Sequence, residues 1–166
     1  MIEVDVRRLS AADVNRLVEL QPQRSHRWIE RLSTQNSGAY EFFIAWRGTE
    51  PVGRAILRAD TAYAQIRAAL GALPEINALH AEVKNEGIGT QIIAACERHA
   101  AHAGSRIGLA VAVGNVDAHR LYARLGYRDW DGGTISAEWD ERDDSGSIIA
   151  TRREDARYLW KSLSEA

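Results

Sequence analysis

The stretch NEGIGT, Asn85 to Thr90, joins an apolar-alternating run to a long helical pattern, and few folds tolerate such a junction. Two glycines one residue apart at a helix start mark a tight strand-to-helix turn. The first N–H groups of a helix have no intrahelical partner, and the helix dipole places partial positive charge beside them. Glycine at 87 and 89 admits a ligand without a Cβ clash. This is the geometry of an anion site, with a phosphate as a suitable guest; the same turn holding only water is the competing reading. A Walker loop needs G-x-x-x-x-G-K-[ST], which the chain lacks. A dinucleotide fingerprint needs a third glycine three residues after Gly89, where Ile92 stands.

The flanking patterns give the order of elements. IEVDVRRL alternates as a strand. SAADVNRLVEL follows as a helix, with Ser10 as N-cap, Asp13 three residues on, and Val14, Leu17 and Val18 as its stripe. SHRWIERLS reads as a second helix with Trp28, Ile29 and Leu32 on one side. Residues 40–60 read as two strands around a turn at Gly48 to Pro51. Residues 61–73 are ambiguous between helix and loop, and PEINALHAEV is a strand. The helix opened by Gly87 repeats Ile88, Ile92, Ala95, Cys96, His99 and Ala103 and stops at Gly104. SRIGLAVAV is a buried strand, and NVDAHRLYARL a helix that Asn115 can cap. After YRDW come short strand-like pieces separated by a polar turn around DERDD, closing with ARYLWKSL. The pattern is α/β with a mixed central sheet, one domain over residues 1–166.

Composition narrows the function. Of 166 residues, 45% are apolar and 27% charged, with a formal charge of −2; signs are mixed, so no field recruits nucleic acid or an anionic membrane. One cysteine, Cys96, excludes an intrachain disulfide and fits a reducing compartment. MIEVDVRRLS lacks the apolar core of a signal peptide, so a cytoplasmic protein is expected. His99 and His102 make an H-x-x-H without an evident third ligand, so no metal is expected.

Downstream, Asn115, Ala118, Leu121, Tyr122, Gly126 and Tyr127 form N-x-x-A-x-x-L-Y-x-x-x-G-Y on the helix after the buried strand. Together with the glycine turn, this resembles the GNAT acetyltransferase superfamily, over residues 74–130 above all. The resemblance implies a GNAT-like fold with a splayed strand pair flanked by helices, and transfer of an acetyl group from acetyl-CoA to an amine. It implies that residues Lys84 to Thr90, including Glu86, Gly87, Ile88 and Gly89, hold the coenzyme pyrophosphate. The edge from Leu79 through Ala81 to Val83 would pair with the pantetheine arm, with Asn115 and Tyr122 on the facing helix. Lys84 stands where the family has Gln or Arg, keeping charge but not the guanidinium fork. Glu86 must point away from a pyrophosphate.

Attack of an amine on a thioester requires a neutral amine, support for a developing oxyanion, and a proton for the departing thiolate. Tyr122 matches the family tyrosine that serves as general acid; a packed aromatic with a solvated hydroxyl is the alternative. For the base, Glu75, then His80, then Glu82 are candidates, against the reading of each as a solvated side chain. Strict alternation would put His80 and Glu82 on one face and Glu75 on the other. The acceptor is expected to be a small molecule. The resemblance implies that the first two helices border its pocket, where Arg24, His26, Arg27 and Trp28 would meet an acidic or aromatic acceptor, although an ordinary amphipathic helix with solvated arginines is the preferred reading of that stretch. Relatives are frequently homodimers. A non-catalytic acyl-CoA-binding domain and a scaffold are the alternative functions.

Overall fold

The computed structural model describes residues 2–163. The strands are β1 (Asp5–Arg8), β2 (Tyr40–Arg47), β3 (Glu50–Arg58), β4 (Glu75–Ala81), β5 (Arg106–Ala112), β6 (Arg128–Arg142) and β7 (Ile148–Ser162). The helices are α1 (Ala11–Leu20), α2 (Ser25–Asn36), α3 (Ala64–Leu70), α4 (Ile88–Ala100) and α5 (Val116–Arg124). The strands form one sheet in the order β1-β2-β3-β4-β5-β7-β6. Only β4 and β5 run parallel.

The apolar run of β2 is buried on both faces, and its alternation divides two cores. Phe42, Ile44 and Trp46 pack with Val14, Leu17 and Trp28 under α1 and α2. Phe43 and Ala45 pack on the opposite face with Ile88, Ile92 and Cys96 of α4. Burial of each large apolar side chain contributes about 1.5–3 kcal/mol. Ser10 caps α1 in a reciprocal box with Asp13, as the sequence pattern requires. The stripe of α2 is rotated from the expected one. Trp28 and Gln35 are buried and Ile29 is 58% exposed, because Gln35 turns inward to donate to the Leu9 carbonyl and accept from the Phe42 amide.

Residues 61–73 contain α3, whose Ile66 packs with Leu73, Ile135 and Tyr158 in a third cluster. The tail differs from the short pieces read in the sequence. Residues Asp140 to Arg142 of the polar segment lie inside β6, which pairs with β7 in a hairpin of two 15-residue strands, and the turn is confined to residues 143–147. Exposed strands of mixed charge carry little apolar alternation, but cross-strand pairs such as Arg153–Glu138 and Arg152–Glu141 sustain them. Among the described residues, no helix is long and apolar enough to cross a membrane.

Candidate active site

The parallel pairing of β4 and β5 lasts two steps, Glu75 with Gly108 and Ile76 with Leu109. Beyond it the strands part, and the β4 backbone from Asn77 onward has no ladder partner on that side. A cleft of about 700 Å³ opens there, with Asn77, Ala78 and Leu79 on one wall and Asn115, Ala118 and Tyr122 on the other. The β6–β7 hairpin adds Glu138, Trp139, Asp140 and Glu154.

At the mouth of this splay β4 is irregular. Its register against β3 slips between Arg54–His80 and Ile56–Asn77, and Ala78 sits at φ 51°. This is a β-bulge, in which an extra residue resets the alternation. Ile76, Leu79 and Ala81 consequently all pack toward α4. Glu75, Asn77 and His80 lie opposite Arg58, Ile56 and Arg54 of β3, on the same face. The strict alternation expected from sequence, with Glu75 opposite His80 and Glu82, is therefore corrected by one inserted residue.

Glu75 is 0% exposed and does not border the cleft. Its carboxylate accepts from Thr61 Oγ1 at 2.6 Å, Tyr158 OH at 2.9 Å, the Ala62 amide at 3.2 Å and Asn77 Nδ2 at 3.2 Å. Two of those donors, Ala62 and Asn77, belong to the cleft wall. Tyr158 reaches Glu75 across β5 at Gly108, where a Cβ would stand 2.7 Å from the tyrosine ring. Burial, then the Glu75 charge, pushes the Tyr158 hydroxyl up from its ordinary value. His80 and Glu82 face each other at 3.4 Å with half-exposed side chains outside the cleft.

Tyr122 lines the cleft at 9% exposure, with its ring edge-on to Tyr127 at 6.0 Å. Burial raises its pKa above the ordinary 10.0, so the hydroxyl keeps its proton at neutral pH. Tyr127 donates to Glu97 at 3.0 Å and is a packing residue. Cys96 is buried and its thiol is pushed up to about 12 by desolvation, which makes it inert.

Between β4 and α4, Val83, Lys84 and Asn85 are exposed, and Glu86 and Gly87 are half-buried. Gly87 caps α4 at φ 78° without a side-chain bond to the first turn, a conformation suited to glycine. At Gly89 a Cβ would meet nothing within 4 Å, so the approach to the Ile88, Gly89 and Thr90 amides is open. Glu86 turns to Arg47 at 3.4 Å, which is the orientation an anion at this turn requires. Gln91 ties the helix start to the opening segment by accepting from the Val4 amide at 3.1 Å. Asn115 both caps α5, accepting from the Ala118 amide at 3.2 Å, and borders the cleft.

The sequence reading missed several cleft and near-cleft residues. Asn77, Tyr63 and Arg58 line the cleft, as does Glu154 of the hairpin. Arg31 and Arg54 face one another beside Ala78. Local pattern marked none of them, because strand register and the hairpin bring them together.

Comparison with known proteins agrees with this geometry. The profile of the acetyltransferase (GNAT) family matches residues 7–127. No curated relative matches the chain by sequence. Among solved structures, a ribosomal-protein-alanine N-acetyltransferase from Brucella melitensis superposes with a TM-score of 0.66 at 17% identity, over 96% of this chain and 99% of that one. A phosphinothricin acetyltransferase from Sinorhizobium meliloti, in complex with AcCoA, gives 0.65 at 17% identity, over 99% and 91%. An N-acetyltransferase from Staphylococcus aureus gives 0.66 at 13% identity, over 98% and 100%. At these identities the structures speak for the fold, while the profile spans most of the 166 residues, and on that ground the chain belongs to the acetyltransferase (GNAT) family.

Proposed function

We propose that the protein is an N-acetyltransferase that passes an acetyl group from acetyl-CoA to a primary amine by direct attack, both substrates being bound together. The observation that carries the reading is the splay of β4 from β5 with Tyr122 on its far wall. The uncapped amides of Ile88, Gly89 and Thr90, and Glu86 turned aside to Arg47, fit a pyrophosphate. Lys84, exposed beside them, supplies a mobile positive charge. The unpaired β4 edge at Leu79 and Ala81, continued by Val83 just beyond the strand's end, offers backbone groups to the pantetheine arm, and Asn115 and Tyr122 flank it.

Acetyl-CoA, when bound, supplies an activated acyl carbon and a thiolate leaving group. The chain must supply the rest. Free β4 amides near the Ala78 bulge are suited to the charge that develops on a carbonyl oxygen. Tyr122, held protonated by burial, gives its proton to the departing sulfur. The amine must shed a proton, and Glu75 is assigned as its destination. It lies directly behind the wall formed by Ala62 and Asn77. An amide N–H cannot relay a proton, so the transfer requires the Asn77 side chain to swing aside and admit a water from the cleft to carry it. His80 takes second place, since it sits outside the cleft beside Glu82; Glu82 remains third.

Calorimetric titration with acetyl-CoA, with free CoA and ADP as controls, tests the coenzyme half of this reading. Micromolar binding common to both CoA forms is expected, and lost in Gly89→Trp, whose indole fills the open approach. Undiminished binding by that variant would refute the pyrophosphate assignment. Absence of binding by the native chain would leave a scaffold as the better account.

A further inference from the structure

Beside the bulge, away from the coenzyme turn, arginines converge without enough acid to balance them. A hollow of about 430 Å³ is lined by Arg27, Arg31 and Arg142 together with Glu30, Asp140 and Phe42. It shares Ile56 and Asp140 with the main cleft. A crevice carries Arg31 and Arg54 on to Ala78, so the hollow opens where an acceptor amine would meet the thioester.

The acids nearby are already engaged. Asp140 faces Arg142 at 3.8 Å and accepts from Thr151 at 3.0 Å. Glu30 lies 3.5 Å from His26, an ion pair only when that imidazole is protonated. Asp144 takes Arg24 at 3.1 Å. Glu82 makes a long ion pair with Arg54 at 3.9 Å and also lies 3.4 Å from His80, so Arg54 keeps its donors free of hydrogen bonds to acid. Among the described residues, Arg27 and Arg31 have no ion pair at all. Arg31 is also held flat: its guanidinium lies over Trp28 at 5.1 Å and over Phe42 at 5.6 Å. Stacking fixes the plane and leaves the donor edge available for a two-oxygen acceptor. Burial first, then repulsion from Arg54, Arg27 and Arg24, brings its pKa down to about 10. Glu30 offsets part of this. Arg31 stays charged at neutral pH, and a sheltered cation without a salt-bridge partner is costly unless an anion visits.

Building on the acyltransferase reading above, we infer that the acceptor is a small amine bearing a carboxylate or phosphate, and that Arg31 and Arg54, supported by Arg27, grip that oxyanion. The acid group is anchored in the hollow while the amine projects past Ala78 into the cleft. This is a substrate class that the overall charge of −2 conceals, because the positive charge is local.

The test measures binding without turnover. The protein with saturating CoA is titrated calorimetrically with amino acids against their carboxamides, and with ethanolamine phosphate against ethanolamine. An acid is expected to bind about tenfold or more tighter than its neutral partner, the scale of charge-assisted hydrogen bonds. Whichever pair shows the larger ratio tells carboxylate from phosphate. The preference should vanish in Arg31→Met and in Arg54→Gln and return in part in Arg31→Lys. Arg54→Gln does not disturb the Trp28 stack, so it stands in if Arg31→Met fails to fold. Equal binding within every pair, binding of no member, or a preference that survives both variants overturns the inference. Acetyl-CoA is titrated into the same proteins before any CoA is added, and failure there strikes the acyl-transfer reading separately.

Discussion

Replacement of Glu75 separates its structural role from its assignment as the proton's destination. One oxygen takes the hydroxyls of Thr61 and Tyr158, and the other takes the Ala62 amide and Asn77 Nδ2. In Glu75→Gln, the carbonyl can keep Ala62 and Asn77, while the new NH2 faces two hydroxyls that can rotate to accept. All four contacts survive, but their charge assistance is lost. Bonds to a charged group contribute about 1.5–3 kcal/mol and neutral ones about 1. The relief of no longer burying a charge offsets part of that difference. A net loss of about 1–2 kcal/mol is expected. Glu75→Ala has no such repair. It leaves the buried Thr61 and Tyr158 hydroxyls without their acceptor and opens a cavity, for a loss of about 4–5 kcal/mol. Urea unfolding reads both, provided the m-value is unchanged. Equal losses in the two variants would refute the hydrogen-bond account. The pH–rate profile of the folded Gln variant then judges the chemistry: a flattened acid limb supports Glu75 as the proton's destination, and an unaltered limb confines it to positioning Asn77.

Gly108→Ala should drive the Tyr158 ring off Glu75, since the new Cβ would stand 2.7 Å from ring carbons; a loss of about 2–3 kcal/mol and altered near-UV dichroism are expected. Tyr122→Phe should lower kcat by about 100-fold with coenzyme affinity little changed, and full activity would remove its acid role. Because burial raises the Tyr122 pKa, the basic limb that it sets in the native enzyme should lie above pH 10.0, where the phenol begins to lose its proton. For Asp13, burial pushes the pKa up, but bonds from Arg7 and Ser10 outweigh it and hold the carboxyl below 3.8. The folded pKa is depressed, so the stabilisation is present above pH 3.8 and is lost as pH falls through the folded value. Asp13→Asn should accordingly lose stability at neutral pH and show a shallower decline under acid, as thermal melts against pH will record.

The glycine turn and the helix that faces it could be read from local sequence because their determinants are local. The glycines at 87 and 89 and the helix that they open lie within one turn of each other, and Asn115 to Tyr122 occupy one helix face. The capping box at Ser10 and Asp13 was legible for the same reason. Of the arginine hollow only Arg27 was marked in the sequence. Arg31 and Arg54 are 23 residues apart in the chain, and only the packing of α2 on the β2–β3 face makes them neighbours. The β6–β7 hairpin was hidden because its strands are solvated on much of their surface, and without a buried face the period-2 signal fades.

The bulge at Ala78 shows most clearly where sequence reasoning ends. INALHA has no glycine at the critical point, so nothing signals an inserted residue, and alternation counted through it assigns every later side chain to the wrong face. Yet the same insertion makes the site coherent. Without it, either Ile76 or the pair Leu79 and Ala81 would leave the α4 core. With it, the core remains filled on one face while Asn77 and His80 turn to the other and Ala78 borders the crevice that holds Arg31 and Arg54. A non-glycine residue at φ 51° carries a conformational cost of about 1 kcal/mol, and here it coincides with the point where β4 leaves β5. Strain at the junction of two substrate paths is the expected signature of a backbone held for chemistry and not for folding alone. Ala78→Gly should therefore leave the fold intact or slightly more stable while lowering the rate, because a relaxed bulge no longer fixes the β4 amides. A gain in stability with undiminished turnover would show that the bulge serves packing only.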